Sequence, residues 1–163
     1  MFDHENLSKV CNEEFESTKH KYGFECFYAC GSECTPKAFA KNDTTGILFE
    51  YELRENCISG FLYRLPEGDF EPTRKDGTRI NSNEFYDILD LLSLRNRSGS
   101  ETIHSLGFIK ESLNSTLNSF QNVIQSNAED ILRGDFTVFT ELKIIVSERA
   151  QKHGVIFNPE NSC

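Results

Sequence analysis

The chain has no tryptophan and few cations: 17 Lys and Arg stand against 26 Asp and Glu in 163 residues. It also has no run approaching the ~20 apolar residues of a membrane span. Each shortage removes a class of function. Without such a run there is no candidate membrane helix. The opening stretch "MFDHENLSKVCNEEF" lacks both a basic n-region and an apolar h-region, so no secretory signal is expected and a reducing cytosol is the expected compartment. A formal charge of -9 repels phosphate backbones and anionic lipid. Direct binding to nucleic acid or membrane is therefore not expected, and basic partners are favoured. There is no P-loop, no GxGxxG, no GxSxG and no HExxH pair, and the four histidines, His4, His20, His104 and His153, lie far apart. No internal repeat and no low-complexity tract is visible.

What is present is apolar material in regular order. The sequence is 37% hydrophobic and has fourteen Phe, enough for an ordered core in one domain over residues 1–163. At this length a folded chain buries roughly two thirds of the surface that its unfolded form exposes. Behind Asp3 as N-cap, Leu7, Val10, Cys11, Phe15, Thr18 and Tyr22 recur at three and four, and Gly23 closes the stretch, which predicts an N-terminal helix. Four aromatic and β-branched runs follow, "FECFYAC", "KAFAK", "GILFEYEL" and "CISGFLYRL", separated by turn residues. In the third, Ile47, Phe49, Tyr51 and Leu53 alternate with Leu48, Glu50, Glu52 and Arg54, the period of a strand with one dry and one wet face. The "REN" at 54–56 predicts a hairpin to the fourth run, giving three or four antiparallel strands.

Residues 66–81, "PEGDFEPTRKDGTRIN", read as a surface loop. Asn81 or Ser82, with Glu84 as the capping-box partner of Asn81, predicts a second helix through Phe85, Ile88, Leu89 and Leu92 to Arg95. From Thr102 a long helix is predicted through Leu106, Ile109, Leu113, Leu117, Phe120, Ile124, Ala128 and Ile131. Gly134 ends it, and Asp135 or Thr137 caps a last helix over Phe136, Phe139, Leu142, Ile145, Val146 and Arg149. The expected fold is thus α+β: an N-terminal helix, a small antiparallel sheet of three to four strands, and three further helices, two of them a C-terminal helical hairpin.

Two features invite a chemical reading. Cys26, Cys30 and Cys34 are spaced by four, but residues four apart in a strand lie about 13 Å apart. One zinc, with bonds of about 2.3 Å to sulfur, cannot collect them. Gly31 interrupts a helical alternative, and neither Cys57 nor Cys163 completes a pair, so no metal, cofactor or catalytic residue is assigned and the thiols read as small apolar groups. The second feature is acidic. Between Glu50 and Glu71 six carboxylates face only Arg54 and Arg64. They are either a solvated strand face and loop, or a contact surface for a basic protein, for which Glu50, Glu52, Glu67, Asp69, Glu71 and Asp76 are the candidate partner-binding residues.

The order of elements also has a likeness. The entry "YGFECFYA", the acid-rich meander "LFEYELRENCISGFLYRL" and the closing unit "AEDILRGDFTVFTELK" resemble the immunity proteins of contact-dependent growth inhibition and related bacterial polymorphic toxin systems, over residues 5–150. The resemblance implies a cytoplasmic, non-enzymatic inhibitor that binds one cognate toxin domain, commonly a basic nuclease. Two alternatives stand beside it. One is a small cytosolic enzyme whose nucleophile is Cys26, Cys30 or Cys57 near a histidine. The other is an adaptor that binds through the helical hairpin. A homodimer through the long helix is a further expectation.

Overall fold

The computed structural model describes residues 4–32, 34–65, 84–95 and 106–154. Among them the chain is α+β, with an N-terminal helical segment followed by a five-stranded antiparallel sheet in sequential order. The predicted first helix is two: α1 (His4–Glu14) and α2 (Glu16–Tyr22), broken at Phe15, whose φ of -98° and ψ of 15° leave the helical region. Gly23, at φ 71°, ends α2 in the left-handed conformation that its missing Cβ allows. The strands are β1 (Tyr28–Ser32), β2 (Thr35–Lys41), β3 (Thr45–Glu52), β4 (Cys57–Arg64) and β5 (Glu84–Asp87). Four helices complete the described chain: α3 (Ile88–Arg95), α4 (Leu113–Asn127), α5 (Glu129–Leu132) and α6 (Thr137–Lys152). None of these helices is long and apolar enough to cross a membrane.

The strand count exceeds the expected three to four because Glu84–Asp87 forms β5, where a helix start was expected. Glu84 faces Arg64 across the ladder and pairs with it at 3.2 Å, so it caps no helix. Asn81 and Ser82 lie outside the described residues. The cap of α3 is Asp87, whose carboxylate accepts the Leu89 N–H at 2.7 Å. Of the long helix predicted from Thr102, residues 102–105 lie outside the described residues, 106–112 are not helical, and the helix begins at Leu113, where the Ser112 hydroxyl accepts the Ser115 N–H. Before it, Gly107–Ile109 lies along the start of β4. The Ile58 N–H donates to the Gly107 carbonyl at 2.8 Å, and the Ile109 N–H to the Asn56 carbonyl at 3.2 Å. β5 and this segment together cover the outer edge of β4, an edge that would otherwise be open to strand addition. Gly134, at φ 89°, closes the helical stretch as the sequence predicts, although that stretch breaks at Ala128 into α4 and α5.

The core lies between one sheet face and the helices. Ala38, Ala40, Ile47, Phe49, Tyr51, Ile58 and Leu62 meet Leu7, Val10 and Phe15 from the N-terminal helices, and Leu117, Phe120 and Ile124 from α4. The opposite face is not simply wet. Leu48, placed by alternation on the polar side, is buried there with Phe39 and Tyr63 in a second, smaller cluster. Leu53, placed on the dry side, falls past the end of β3 in the turn and is exposed.

The junction of β5 with α3 and α6 carries a titratable load. Asp87 is half-buried, and burial raises its carboxyl to about 6, with Asp90 adding repulsion while the Leu89 N–H and Arg149 offset part of the shift. Asp90 itself accepts from Arg149 of α6 at 2.5 Å. Because the folded value exceeds the unfolded one, Asp87 contributes stability that is complete below about pH 4 and is lost as pH rises through about 6. Asp87→Asn keeps an acceptor for Leu89 and removes the charge. We expect it to stabilise the protein at pH 8 by on the order of 2 kcal/mol, with the two urea-midpoint curves converging near pH 4. A difference independent of pH would show that folding leaves the Asp87 carboxyl at its unfolded value.

Candidate functional site

The strand register maps the sheet face that points away from the core helices, because residues directly opposite on neighbouring strands share a face. Tyr28, Phe39, Leu48, Phe61 and Asp87 form one row across all five strands, and Gly46, Tyr63 and Phe85 belong to the next. Gly46 is required here: a Cβ would come within 2.7 Å of the Phe39 ring that lies over it. The aromatic rings run in sequence, Tyr28 to Phe39 at 5.7 Å, Phe39 to Tyr63 at 6.2 Å and Tyr63 stacked on Phe85 at 5.0 Å. On the other side of the aromatic row, Cys30, Lys37, Glu50 and Ser59 make a polar row. The last row is Glu52, Cys57 and Phe108, next to the turn that joins β3 to β4.

The six candidate acids fare differently. Glu50 is half-buried and forms an ion pair with Lys37, its direct neighbour on β2, so its charge is largely met within the sheet. Glu52 is half-exposed at the end of β3, where one carboxylate oxygen accepts the Arg54 N–H at 3.3 Å. Glu67, Asp69, Glu71 and Asp76 lie outside the described residues. Glu55, in the turn and exposed, joins Glu52 beside Cys57. Burial raises the Cys57 thiol, and the charges of Glu55 and Glu52 raise it further. The charges that act on the Cys57 thiol are those of these two carboxylates, while Arg54 stands exposed in the same turn. A thiol held protonated is a poor nucleophile.

The remaining cysteines are dispersed: Cys11 is buried in α1 with its thiol pushed up by burial, Cys26 precedes β1, Cys30 sits in β1 and Cys34 in the turn after it. His20 and His153 are exposed at helix ends. Among the described residues no three His, Cys, Asp or Glu side chains gather as metal ligands would.

The turn is held rigidly. Asn56 adopts φ 50°, a left-handed conformation that Asn tolerates better than most residues. Its side chain accepts from the Tyr51 hydroxyl at 2.8 Å and donates to the Ile109 carbonyl at 3.3 Å, tying hairpin to bridge segment. Two large apolar side chains stand exposed on this mount, Leu53 at 40% and Phe108 at 52%. The sequence pattern announces neither, since it places Phe108 within a helical period and Leu53 on a strand face. The available signal was Gly107, since a glycine inside a helical pattern marks a break. No family model, no curated protein and no solved structure matches the chain.

Proposed function

We propose that this protein is a non-enzymatic inhibitor that binds a basic protein, a toxin domain, one to one, as the immunity proteins it resembles do. The observation that supports this reading is the pair of carboxylates, Glu52 and Glu55, set beside Cys57 at the β3–β4 turn on a backbone tied down by Asn56. An overall charge of -9 adds long-range attraction for a cationic partner. Such steering acts mainly on the rate of association, so an inhibitor that must reach its target quickly gains from it.

The test begins in the host genome. The reading expects a neighbouring reading frame that encodes a large secreted protein with a variable C-terminal domain. Expression of that domain should arrest growth, and co-expression of this protein should restore it. Reversal of Glu52 and Glu55 together to Lys should slow association with the purified domain at low salt by roughly tenfold or more and flatten its salt dependence. Glu50 is left intact in that variant because reversing it would set two cations against each other at Lys37. Absence of a toxic neighbour, or failure of the wild type to restore growth, removes the reading.

A further inference from the structure

We infer that Leu53 and Phe108 are the anchoring contacts of the docking surface, and that their occupant is a cationic protein segment whose Arg or Lys side chains meet Glu52 and Glu55 while its apolar groups cover the two anchors. The inference rests on the binding reading above and gives it a location.

Three observations converge on this end of the sheet. Leu53 and Phe108 are two of five exposed large apolar side chains among the described residues, and both stand at this end of the sheet. They lie on opposite sides of Cys57: Leu53 follows Glu52, the β3 partner of Cys57, and Phe108 is the bridge partner of Cys57 on its other side. With neighbouring strands ~4.8 Å apart, a span of two strands is about 10 Å, which one partner segment covers. The mount is also pre-ordered. Backbone bonds from Ile58 to Gly107 and from Ile109 to Asn56 fix the Phe108 backbone before any partner arrives. Anchors already held in place lose little conformational entropy on binding.

The chemistry of the occupant follows from charge. Glu52 shares the row of Phe108, while Glu55 lies in the turn and Glu111 shortly after Phe108, both exposed. Three carboxylates, Glu52, Glu55 and Glu111, stand against two cations, Arg54 and Lys110, and the charges felt at Cys57, in the middle of the row, are those of Glu55 and Glu52. A guanidinium over the Phe108 ring could pair with either carboxylate, combining cation–π attraction with a charge-assisted hydrogen bond. An acidic segment would meet repulsion at the same place.

The probe is a random peptide library displayed on phage and panned against the immobilised wild-type protein. Enriched peptides should be rich in Arg or Lys and carry an aliphatic or aromatic residue. Leu53→Ser with Phe108→Ser should weaken them on the order of thirtyfold, while Ile144→Ser, an equally exposed site on α6, should leave affinity unchanged. In the unmodified protein, a bound peptide should slow alkylation of Cys57 several-fold, a readout that needs no folded variant. Cationic peptides that bind the double variant as well as the wild type, and leave Cys57 open, would overturn the location while the cationic-partner reading survives. Enrichment of acidic or neutral peptides, or of none, would overturn both.

Discussion

Phe49→Ala lowers the unfolding free energy by about 3–5 kcal/mol, the range for removing a fully buried Phe. The ring is completely enclosed on the core side of β3. It touches Phe15 at 5.1 Å, Phe27 at 6.0 Å and Phe120 at 5.4 Å between ring centroids, so one side chain joins the α1–α2 junction, the approach to β1, and α4. Directly opposite it on β4 is Gly60, where a Cβ would stand 3.0 Å from Phe49 and 2.7 Å from Ile88. A side chain at position 60 would crowd the Phe49 ring and its neighbours Ile88 and Phe120. Truncation to Ala leaves a hole bounded by rings from separate elements, and none can fill it without leaving its own contacts. Phe85→Ala provides the contrast. Its ring is 46% exposed and stacks on Tyr63 from the other face, so its loss should cost about 1 kcal/mol or less. Urea denaturation of the two variants measures both values. A Phe49→Ala cost below that of Phe85→Ala would show that the sheet and α4 do not share one core.

That core is also the part of the fold that the sequence makes legible, and the reason is locality. Leu7, Val10 and Cys11 mark one face of α1 because helix period is set by neighbours along the chain, and Gly23 and Gly134 mark stops because only glycine is at ease with φ near 70–90°. Ile47, Phe49 and Tyr51 mark a strand for the same reason. The failures occur where a distant partner decides. "EFYD" carries aromatic strand formers ahead of the capping Asp87, but what makes it β5 is the ladder with Phe61–Arg64, set by pairing across about twenty residues of chain. Leu48 reads as polar-side by alternation, yet it is buried because Phe39 on β2 and Tyr63 on β4 flank it, a fact of register and not of the strand itself. Leu106 and Ile109 fit the helical period by spacing alone. Their actual state depends on Ile109 meeting Asn56, more than fifty residues earlier.

The candidate surface was legible in part for the same reason. The acids of the hairpin are visible in a string of letters, so Glu52 was found. The cancellation of Glu50 needed the β2–β3 register that sets Lys37 beside it. The exposure of Phe108 needed the bridge to Cys57, and no period in the chain announces that contact. Charge steers association from a distance, whereas apolar anchors govern how long a complex lasts. A reading limited to composition therefore captures the first property and misses the second.

Gly107→Ala separates these two properties within one molecule. A Cβ at position 107 would stand 2.4 Å from the Ile58 carbonyl oxygen, a clash with backbone that no rotamer change relieves. Either β4 shifts within its ladder to β3, or the bridge segment lifts away. Ile58 sits in the centre of the core, so the bridge segment should yield. Lifting breaks the Ile58–Gly107 and Ile109–Asn56 backbone bonds and frees Phe108 from its mount, at a cost of about 1–3 kcal/mol, well below that of Phe49→Ala. In hydrogen exchange the amides of Ile58 and Ile109 should lose protection, while those of β2 and β3 exchange as in the wild type. The net charge is unchanged, so association with a cationic partner should remain salt-dependent while dissociation accelerates. If Ile58 and Ile109 keep their protection in the variant, the bridge can absorb a methyl group, and Phe108 is not held by the contacts on which its role as an anchor depends.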